Sequence, residues 1–308
     1  MCLRTKKGPP AAVAIGNFDG VHLGHQAILN ALVSTAKKNN LRSVVVLFEP
    51  HPKEFFLKTV APRRLQNLRD KVKLIKSFGI DEVICLRFSQ KLANLSPTEF
   101  IKTILQKQLN AKALVLGEDF RFGKNRSGDI KTLKDTGFEI IEPPTTRYQG
   151  EKISSTWVRE ALLMNDFNLA EQLMQHPYII SGHVVHGNKH GRLLGYPTIN
   201  ITLKANIALH GIYAVRVKLH DKVYEGVANI GRRPALNPIP HPLLEVYIFD
   251  YNQECYGAIA EVIFVTKIRE EQMFENLEAL KTQISEDAKL AQKLLNRFSK
   301  IKSKVDQT

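Results

Sequence analysis

The hydrophobic rhythm of the chain changes near Pro177, and this change constrains the fold more than any other feature. Before it, short unbroken apolar runs alternate with helix-length stretches. Unbroken runs predict strands buried on both faces, and their alternation with helices predicts an α/β domain with a parallel sheet. The predicted strands are 11–15, 44–48, 82–88, 113–116 and 138–141, and the predicted helices include 24–38, 62–77 and 97–108.

After Pro177 the chain consists of short runs rich in Val, Ile and Tyr, separated by turn residues. This pattern predicts an antiparallel sheet or small barrel, with a hairpin turn at His220 and Asp221. The predicted strands are 178–186, 212–219, 222–230, 243–250 and 258–268. A terminal helix is predicted from one apolar face, formed by Ala291, Leu294, Leu295, Phe298 and Ile301. A length of 308 residues suits two domains, which we place at 1–177 and 178–308.

Composition argues against several classes of protein. No uncharged apolar run approaches the roughly 18 residues that span a bilayer, and the basic N-terminus lacks the apolar stretch of a signal peptide. Cys2, Cys85 and Cys255 are too widely spaced to indicate a disulfide framework or a CxxC metal site. We therefore expect a cytoplasmic protein without a membrane partner.

The net charge of +14 suits a protein that handles anionic substrates such as nucleotides. An RNA-binding protein would use the same charge, but no RNP, KH or aromatic stacking motif supports that alternative. We therefore expect no nucleic-acid partner. The densest basic run, 62–76, has the apolar spacing of an amphipathic helix, whose basic face we expect in solvent.

A glycine-rich turn, GNFDGVHLGH at 16–25, follows the first predicted strand and opens a helix. Glycines let phosphates approach the backbone, and a helix N-terminus offers unpaired N–H groups. His22 and His25 are three residues apart, so both imidazoles can face one phosphate group. If the pair stood alone, capping or packing roles for the two histidines would be favoured. A zinc site is disfavoured, because no cysteine or carboxylate lies at a suitable spacing from them. The combination of strand, turn and helix instead indicates nucleotide chemistry, without the GxxxxGK[ST] of a P-loop.

A second element, ISSTWVR at 153–159, precedes a helix that we predict to run to about Gln175. Its hydroxyls are suitable N-caps, and Arg159 is placed to hold a phosphate. With the histidine turn, it resembles the motifs of the HxGH nucleotidyltransferase superfamily, whose fold is Rossmann-like. That resemblance implies catalytic roles for His22, His25 and Arg159 around the phosphates of ATP. It also implies ATP contacts from Gly16, Asn17, Phe18, Asp19, Gly20, Ser155 and Thr156.

Two further motifs narrow the resemblance. FEPHP at 48–52 presents His51 after a strand, and GEDFRFG at 117–123 leads into a loop with Asn125 and Asp129. Alone, these would be a strand-exit turn and a surface loop. With the HxGH turn, they resemble the N-terminal module of the prokaryotic bifunctional riboflavin kinase/FMN adenylyltransferase family. The resemblance implies flavin contacts from His51, Asn125 and Asp129.

The stretch 182–200 carries four glycines at intervals of five, four and four residues, ending in PTIN. A loop of this kind can fold over phosphates, and Thr198 and Asn200 alternate so that both oxygens can face one cation. The glycine spacing does not match the GxGxxG motif, so a dinucleotide-binding fold is not supported. Metal binding by the histidines of this loop is disfavoured, because cysteine and carboxylate partners are lacking.

This stretch resembles the signature of riboflavin kinase. The resemblance implies Mg²⁺ binding by Thr198 and Asn200, and ATP contacts from Gly187, Gly191 and Arg192. It assigns Glu245, which shares a strand face with Tyr247 and Phe249, as the base for the riboflavin 5′-hydroxyl. It places Arg269, in a segment like the family's C-terminal helix start, near the flavin. Ala235 departs from the family, which usually has threonine there.

The resemblance therefore implies an enzyme that phosphorylates riboflavin and then adenylylates the resulting FMN to FAD, with ATP and Mg²⁺. The alternative is an HxGH enzyme acting on another phosphate substrate, with a regulatory second domain. Residues 182–200 and Glu245 argue against a purely regulatory role. The oligomeric state is left open by the sequence.

Overall fold

The computed structural model describes residues 8–187, 195–203, 206–232 and 242–305. The chain divides into two compact units, each built from two segments. The first unit contains Met1–Pro62 and Lys71–Ser155, and the second contains Arg63–Asp70 and Thr156–Thr308. The boundary after residue 177 remains our proposal for the limits of the two functional domains.

The first unit contains the predicted parallel sheet, with five strands in the order β3-β2-β1-β4-β5. Its central strand, β1, is buried on both faces because it consists only of alanine, valine and isoleucine. The strands are β1 (Ala11–Ile15), β2 (Arg42–Glu49), β3 (Glu82–Arg87), β4 (Ala111–Val115) and β5 (Glu139–Ile141). The prediction of a parallel α/β fold is confirmed.

Helices connect these strands. They are α1 (Leu23–Lys38), α2 (Pro52–Leu57), α3 (Leu68–Ser77), α4 (Gln90–Ala93), α5 (Pro97–Phe100, continued as a π-helix over Ile101–Gln108) and α6 (Ile130–Lys134). Short 3₁₀ turns occur at Lys58–Val60 and Lys124–Arg126, and a small antiparallel pair is formed by β6 (Arg147–Tyr148) and β7 (Glu151–Lys152).

Helix α3 begins six residues later than the sequence predicts. Asn67 accepts a 2.8 Å hydrogen bond from the backbone N–H of Asp70, as an N-terminal capping residue does. Arg64, before it, is buried and forms a β-bridge with Ile207. The predicted solvent-exposed basic helix is therefore wrong over 62–67, because the bridge between Arg64 and Ile207 within the second unit holds the backbone there in a non-helical conformation.

The longer segment of the second unit begins with α7 (Ser155–Leu163, its first residue still in the first unit) and α8 (Phe167–Met174). The sequence predicts one helix here. The structure interrupts it because Asn165 adopts a left-handed conformation, with φ of 61°, and Asp166 then caps the second helix at the backbone N–H of Leu169.

The rest of the second unit is a closed six-stranded barrel in the order β10-β11-β12-β9-β8-β13. The strands are β8 (Ile179–Val185), β9 (Thr198–Thr202), β10 (Gly211–Leu219), β11 (Lys222–Arg232), β12 (Pro242–Ile248) and β13 (Ile259–Arg269). All described pairings are antiparallel, and the hairpin turn at His220 and Asp221 is present. The predicted barrel is confirmed.

A C-terminal helix, Leu277–Val305, packs on the barrel through Ala288, Ala291 and Leu295. The helix start expected around 268–274 is wrong, because β13 continues to Arg269 and the helix begins only at Leu277. Among the helices that the structure describes, none is long and apolar enough to cross a membrane.

Candidate active sites of the two units

The glycine-rich turn follows β1, where the strand order of the first unit's sheet reverses. Strand β1 pairs with β2 on one side and β4 on the other, so residues 16–22 leave the carboxyl end of the central strand at the switch point where such sheets bind ligands. The turn is tight: φ is 47° at Phe18, 82° at Gly20 and 38° at Val21. Positive φ is unfavourable for a β-branched valine, and such strain is characteristic of functional turns.

His22 and His25 form a stacked pair in this turn. Their ring centroids are 3.7 Å apart with an interplanar angle of 20°, and the ring of Phe18 is 5.1 Å from that of His25. Burial, followed by the charges of His22 and Lys71, holds the pKa of His25 well below its ordinary value. His25 is therefore a neutral imidazole near pH 7, available as an oriented hydrogen-bond partner.

Two buried polar atoms in this turn have no hydrogen-bond partner among the described residues. They are Oδ1 of Asn17 and Nδ1 of His25. An unsatisfied buried polar group is unfavourable by about 1–3 kcal/mol, so partners are expected from a ligand. Both atoms belong to residues that the sequence assigns to nucleotide binding.

Asp19, in this turn, is held by contacts of both its backbone and its side chain. Ser155 Oγ donates a 2.8 Å hydrogen bond to its backbone carbonyl. Lys71 Nζ lies 3.9 Å from its carboxylate, and the two side chains are only 8% and 5% exposed. Lys71 was not among the predicted site residues, because it lies in the basic run 62–76 that was expected to face solvent.

The residues assigned to the flavin in the first unit have capping and loop roles. His51 accepts a hydrogen bond through Nδ1 from Lys53 N and caps α2. Asp129 accepts from the backbone N–H and the hydroxyl of Thr132, and these bonds lower the pKa of its carboxyl. Asn125 is exposed in a left-handed conformation. His51 and Asn125 nevertheless lie in loops that follow the carboxyl ends of β2 and β4.

Thr156 and Arg159 belong to the second unit, unlike the histidines. Thr156 is exposed at the start of α7, and Arg159 Nε donates a 2.6 Å hydrogen bond to the carbonyl of Arg63. This bond fixes the stem of Arg159 within the second unit.

The barrel places three polar residues in one cross-strand row. Glu245 on β12 is directly opposite Asn200 on β9 and, on the other side, opposite Asn229 on β11. Directly paired residues of antiparallel strands project from the same face with Cβ atoms about 5 Å apart. Thr198 and Tyr247 form the adjacent pair, and Thr198 shares a strand face with Asn200. Glu245 therefore lies between two amides, a setting that its strand alone did not indicate.

Gly187 packs directly against the amide of Asn200. A methyl group at Gly187 would overlap that amide, so this position requires the absence of a side chain. Asn200 is 5% exposed, and its Oδ1 has no hydrogen-bond partner among the described residues. The predicted ATP contacts of Gly191 and Arg192, and the departure at Ala235, lie outside those residues.

Arg269 is held by the C-terminal helix. Its Nε and Nη2 donate hydrogen bonds of 2.7–3.1 Å to the buried carboxylate of Asp287, and its Nη1 donates to the carbonyl of Glu270. Arg269 is also directly opposite Ile212 on β10, the strand next to Asn229. Its guanidinium thus fixes the helix to the end of β13.

Comparison with known proteins agrees with this arrangement. The FAD synthetase family model matches residues 4–157, and the riboflavin kinase model matches residues 174–295. The bifunctional riboflavin kinase/FMN adenylyltransferase of Buchnera aphidicola subsp. Schizaphis graminum is 45% identical, with 93% of this chain and 94% of the relative covered. That of Escherichia coli K12 is 44% identical, over 89% and 90%.

A solved structure shares the architecture. The crystal structure described as a macrolide-efflux protein from Streptococcus pneumoniae matches with a TM-score of 0.74 and 31% identity, covering 92% of this chain and 94% of that one. Both enzyme domains of the curated relatives are present here, in the same chain. The chain belongs to the bifunctional riboflavin kinase/FMN adenylyltransferase family.

Proposed function

We propose that the barrel phosphorylates riboflavin to FMN with ATP, and that the α/β domain adenylylates FMN with a second ATP to give FAD and pyrophosphate. Family membership supports both reactions. The observation that carries the kinase assignment is the row in which Glu245 pairs directly with Asn200. A proton acceptor and a buried, unsatisfied amide oxygen are thereby placed side by side.

In the kinase reaction, Glu245 accepts the proton of the riboflavin 5′-hydroxyl. The hydroxyl oxygen forms a bond to the γ-phosphorus as the bond to the β–γ bridging oxygen breaks, and ADP leaves with that electron pair. Phosphoryl transfer depends mainly on positioning and electrostatic stabilisation. Gly187 allows the Asn200 amide to pack against the backbone of the glycine-rich loop, because a side chain at Gly187 would overlap that amide.

The residues present fit a magnesium ion. Oδ1 of Asn200 is buried without a partner in the described part of the chain, and Thr198 lies on the same strand face with its hydroxyl. Mg²⁺ prefers oxygen ligands and is commonly completed by substrate phosphates and water. When bound, the ion would neutralise phosphate charge, and Thr198 and Asn200 would hold it.

In adenylyl transfer, an oxygen of the FMN phosphate forms a bond to the α-phosphorus of ATP. The bond from that phosphorus to the α–β bridging oxygen breaks, and pyrophosphate leaves with the electron pair. The nucleophile is already an anion, so no strong base is needed. His22, His25 and Arg159 would stabilise charge on the transferring and leaving groups. The unpaired N–H groups at the start of α1, which begins at Leu23, would add favourable electrostatics for the phosphates.

Family membership also supports flavin contacts in both domains. His51, Asn125 and Asp129 belong to the flavin site of the adenylyltransferase, where capping bonds fix His51 and Asp129. Arg269 belongs to the flavin site of the kinase and acts by holding the C-terminal helix through Asp287.

The test is incubation of the full chain with riboflavin, ATP and MgCl₂, followed by separation of riboflavin, FMN and FAD. We expect FMN to appear first and FAD to follow. Supplying FMN directly tests the second reaction alone, and omission of Mg²⁺ with added chelator tests the metal. A chain that converts neither flavin would contradict the proposal.

A further inference from the structure

Asn229 occupies a position in the kinase site that the sequence did not assign. It lies on β11, directly opposite Glu245 on one side and Ile212 of β10 on the other. The row across these strands is therefore Asn200, Glu245, Asn229, Ile212. Glu245 has an amide on each side. Ile212 separates Asn229 from Arg269 of β13, whose guanidinium is paired with Asp287.

Oδ1 of Asn229 is buried and has no hydrogen-bond partner among the described residues. Its two cross-strand neighbours cannot supply one, because an ionised carboxylate only accepts hydrogen bonds and isoleucine has no polar atoms. Oδ1 of Asn200 is in the same situation, between Glu245 and Val185. Two acceptor oxygens thus flank one carboxylate, and neither has a partner among the residues that the structure describes.

The two flanking oxygens differ in what surrounds them. Asn200 has Thr198 beside it on the same face and Gly187 against its amide, an arrangement suited to a cation and phosphates. Asn229 has an aliphatic neighbour, Ile212, which is buried and suits an uncharged ligand group. The acceptor beside Ile212 is therefore placed for a neutral donor, such as an alcohol hydroxyl.

We propose that Asn229 binds the polyol chain of the kinase substrate, with Oδ1 accepting a hydrogen bond from the hydroxyl next to the one that is phosphorylated. This inference rests on the proposed kinase function. The hydroxyl that loses its proton lies at Glu245, and the adjacent 4′-hydroxyl of riboflavin lies on the Asn229 side. Asn229 thereby aligns the reacting oxygen and favours a polyol substrate over a simple alcohol.

The experiment compares riboflavin with 4′-deoxyriboflavin, using the full-length wild-type chain and Asn229→Leu. Leucine preserves the approximate volume but cannot accept a hydrogen bond. We expect the wild type to lose roughly ten- to a hundredfold in kcat/KM on the deoxy analogue, as for a hydroxyl whose buried partner is left unsatisfied. Asn229→Leu should lose a similar factor on riboflavin and little more on the analogue.

Three controls distinguish a specific effect of Asn229 from misfolding and from an incorrect kinase assignment. Asn252→Leu, at an exposed position in the same unit, should behave as wild type. FMN adenylylation by Asn229→Leu reports whether the chain is folded, and Asn229→Ala replaces it in the same comparison if leucine is not accommodated. A variant that still discriminates between the two flavins as the wild type does would overturn the role of Asn229. A wild type inactive on riboflavin would instead overturn the kinase assignment itself.

Discussion

The ammonium group of Lys71 lies 3.9 Å from the carboxylate of Asp19, and both side chains are more than nine-tenths buried. Lys71 comes from α3, about fifty residues beyond the glycine-rich turn. Its charge contributes to the low pKa of His25. The ion pair therefore joins the turn to a second helix, and the charge of Lys71 adds to the larger effects of burial and of His22 on the pKa of His25.

Lys71→Met should destabilise the first unit, because it removes the counter-charge of a buried carboxylate. Breaking one partner of a buried pair reduces stability by about 3 kcal/mol or more. We expect FMN adenylylation to be lost at a lower temperature, as measured by residual activity after heating. The double variant Asp19→Asn with Lys71→Met should recover part of that loss.

Lys73→Met is the matched control, because Lys73 is an exposed lysine two residues further along the same helix. It removes the same charge from the chain and should leave heat resistance nearly unchanged. Equal loss in the two variants would mean that overall charge, and not the Asp19 contact, is responsible.

His25→Asn should reduce FAD formation by roughly two orders of magnitude or more, as expected when an oriented group at the transition state is removed. kcat and kcat/KM should fall together, because an interaction made only in the transition state contributes little to ground-state binding. Riboflavin phosphorylation in the same preparation is the internal control. His220→Asn, at the exposed hairpin turn, should be normal in both reactions. Loss of both reactions in His25→Asn would point to a structural role.

Acidification should destabilise the first unit through His25. Its folded pKa lies well below the ordinary value of 6.5, so the unfolded chain binds more protons below pH 6.5. The stability that depends on neutral His25 is fully present above the pKa of the unfolded chain. It is lost as the pH falls from that value towards the lower pKa of the folded state. His25→Asn should flatten this dependence between pH 7 and pH 5, as measured by denaturant midpoints at each pH. Parallel curves for variant and wild type would contradict the assignment.

Glu245→Gln should lower riboflavin phosphorylation by about 10²–10⁴-fold, the usual loss when a general base is removed. FMN adenylylation should persist. Glu261→Gln, on β13 of the same barrel, controls for the loss of one carboxylate. Near-normal kinase turnover in Glu245→Gln would remove Glu245 from the mechanism.

Gly187→Ala should raise the Mg²⁺ concentration needed for half-maximal kinase rate. The added methyl group would overlap the Asn200 amide and displace its oxygen from the proposed ion site. Asn200→Ala should have the same effect for a different reason, by removing the ligand. We expect at least a severalfold shift in a magnesium titration of FMN formation. An unchanged titration in both variants would exclude Asn200 as a metal ligand.

The strands could be predicted closely because unbroken or regularly spaced apolar runs are distinctive, and each predicted strand overlaps an observed one. The start of α3 could not be predicted, since the apolar spacing at Leu65 and Leu68 continues into a segment that the bridge between Arg64 and Ile207 keeps out of the helix. The break between α7 and α8 had a local signal, because Asn165 tolerates positive φ and Asp166 is a good cap.

The candidate sites were predictable where one segment carries them, as in the turn that contains His22 and His25. Lys71 was not, because the burial of one lysine on an amphipathic helix depends on what packs over it. Asn229 could not be predicted as a site residue, because it is identified by its pairing with Glu245 on another strand. The register between two strands cannot be read from the sequence alone.

The side chain of Asp70 accepts hydrogen bonds from the backbone and hydroxyl of Ser181, 111 residues later in the chain. The ribosome therefore releases segment 63–70 well before the strand that binds it has been made. A nascent chain that has just completed the parallel sheet still carries this segment without its eventual neighbours. The first strand of the barrel to be synthesised, β8, thus determines when segment 63–70 can reach its final position, and the order of translation differs from the order of assembly.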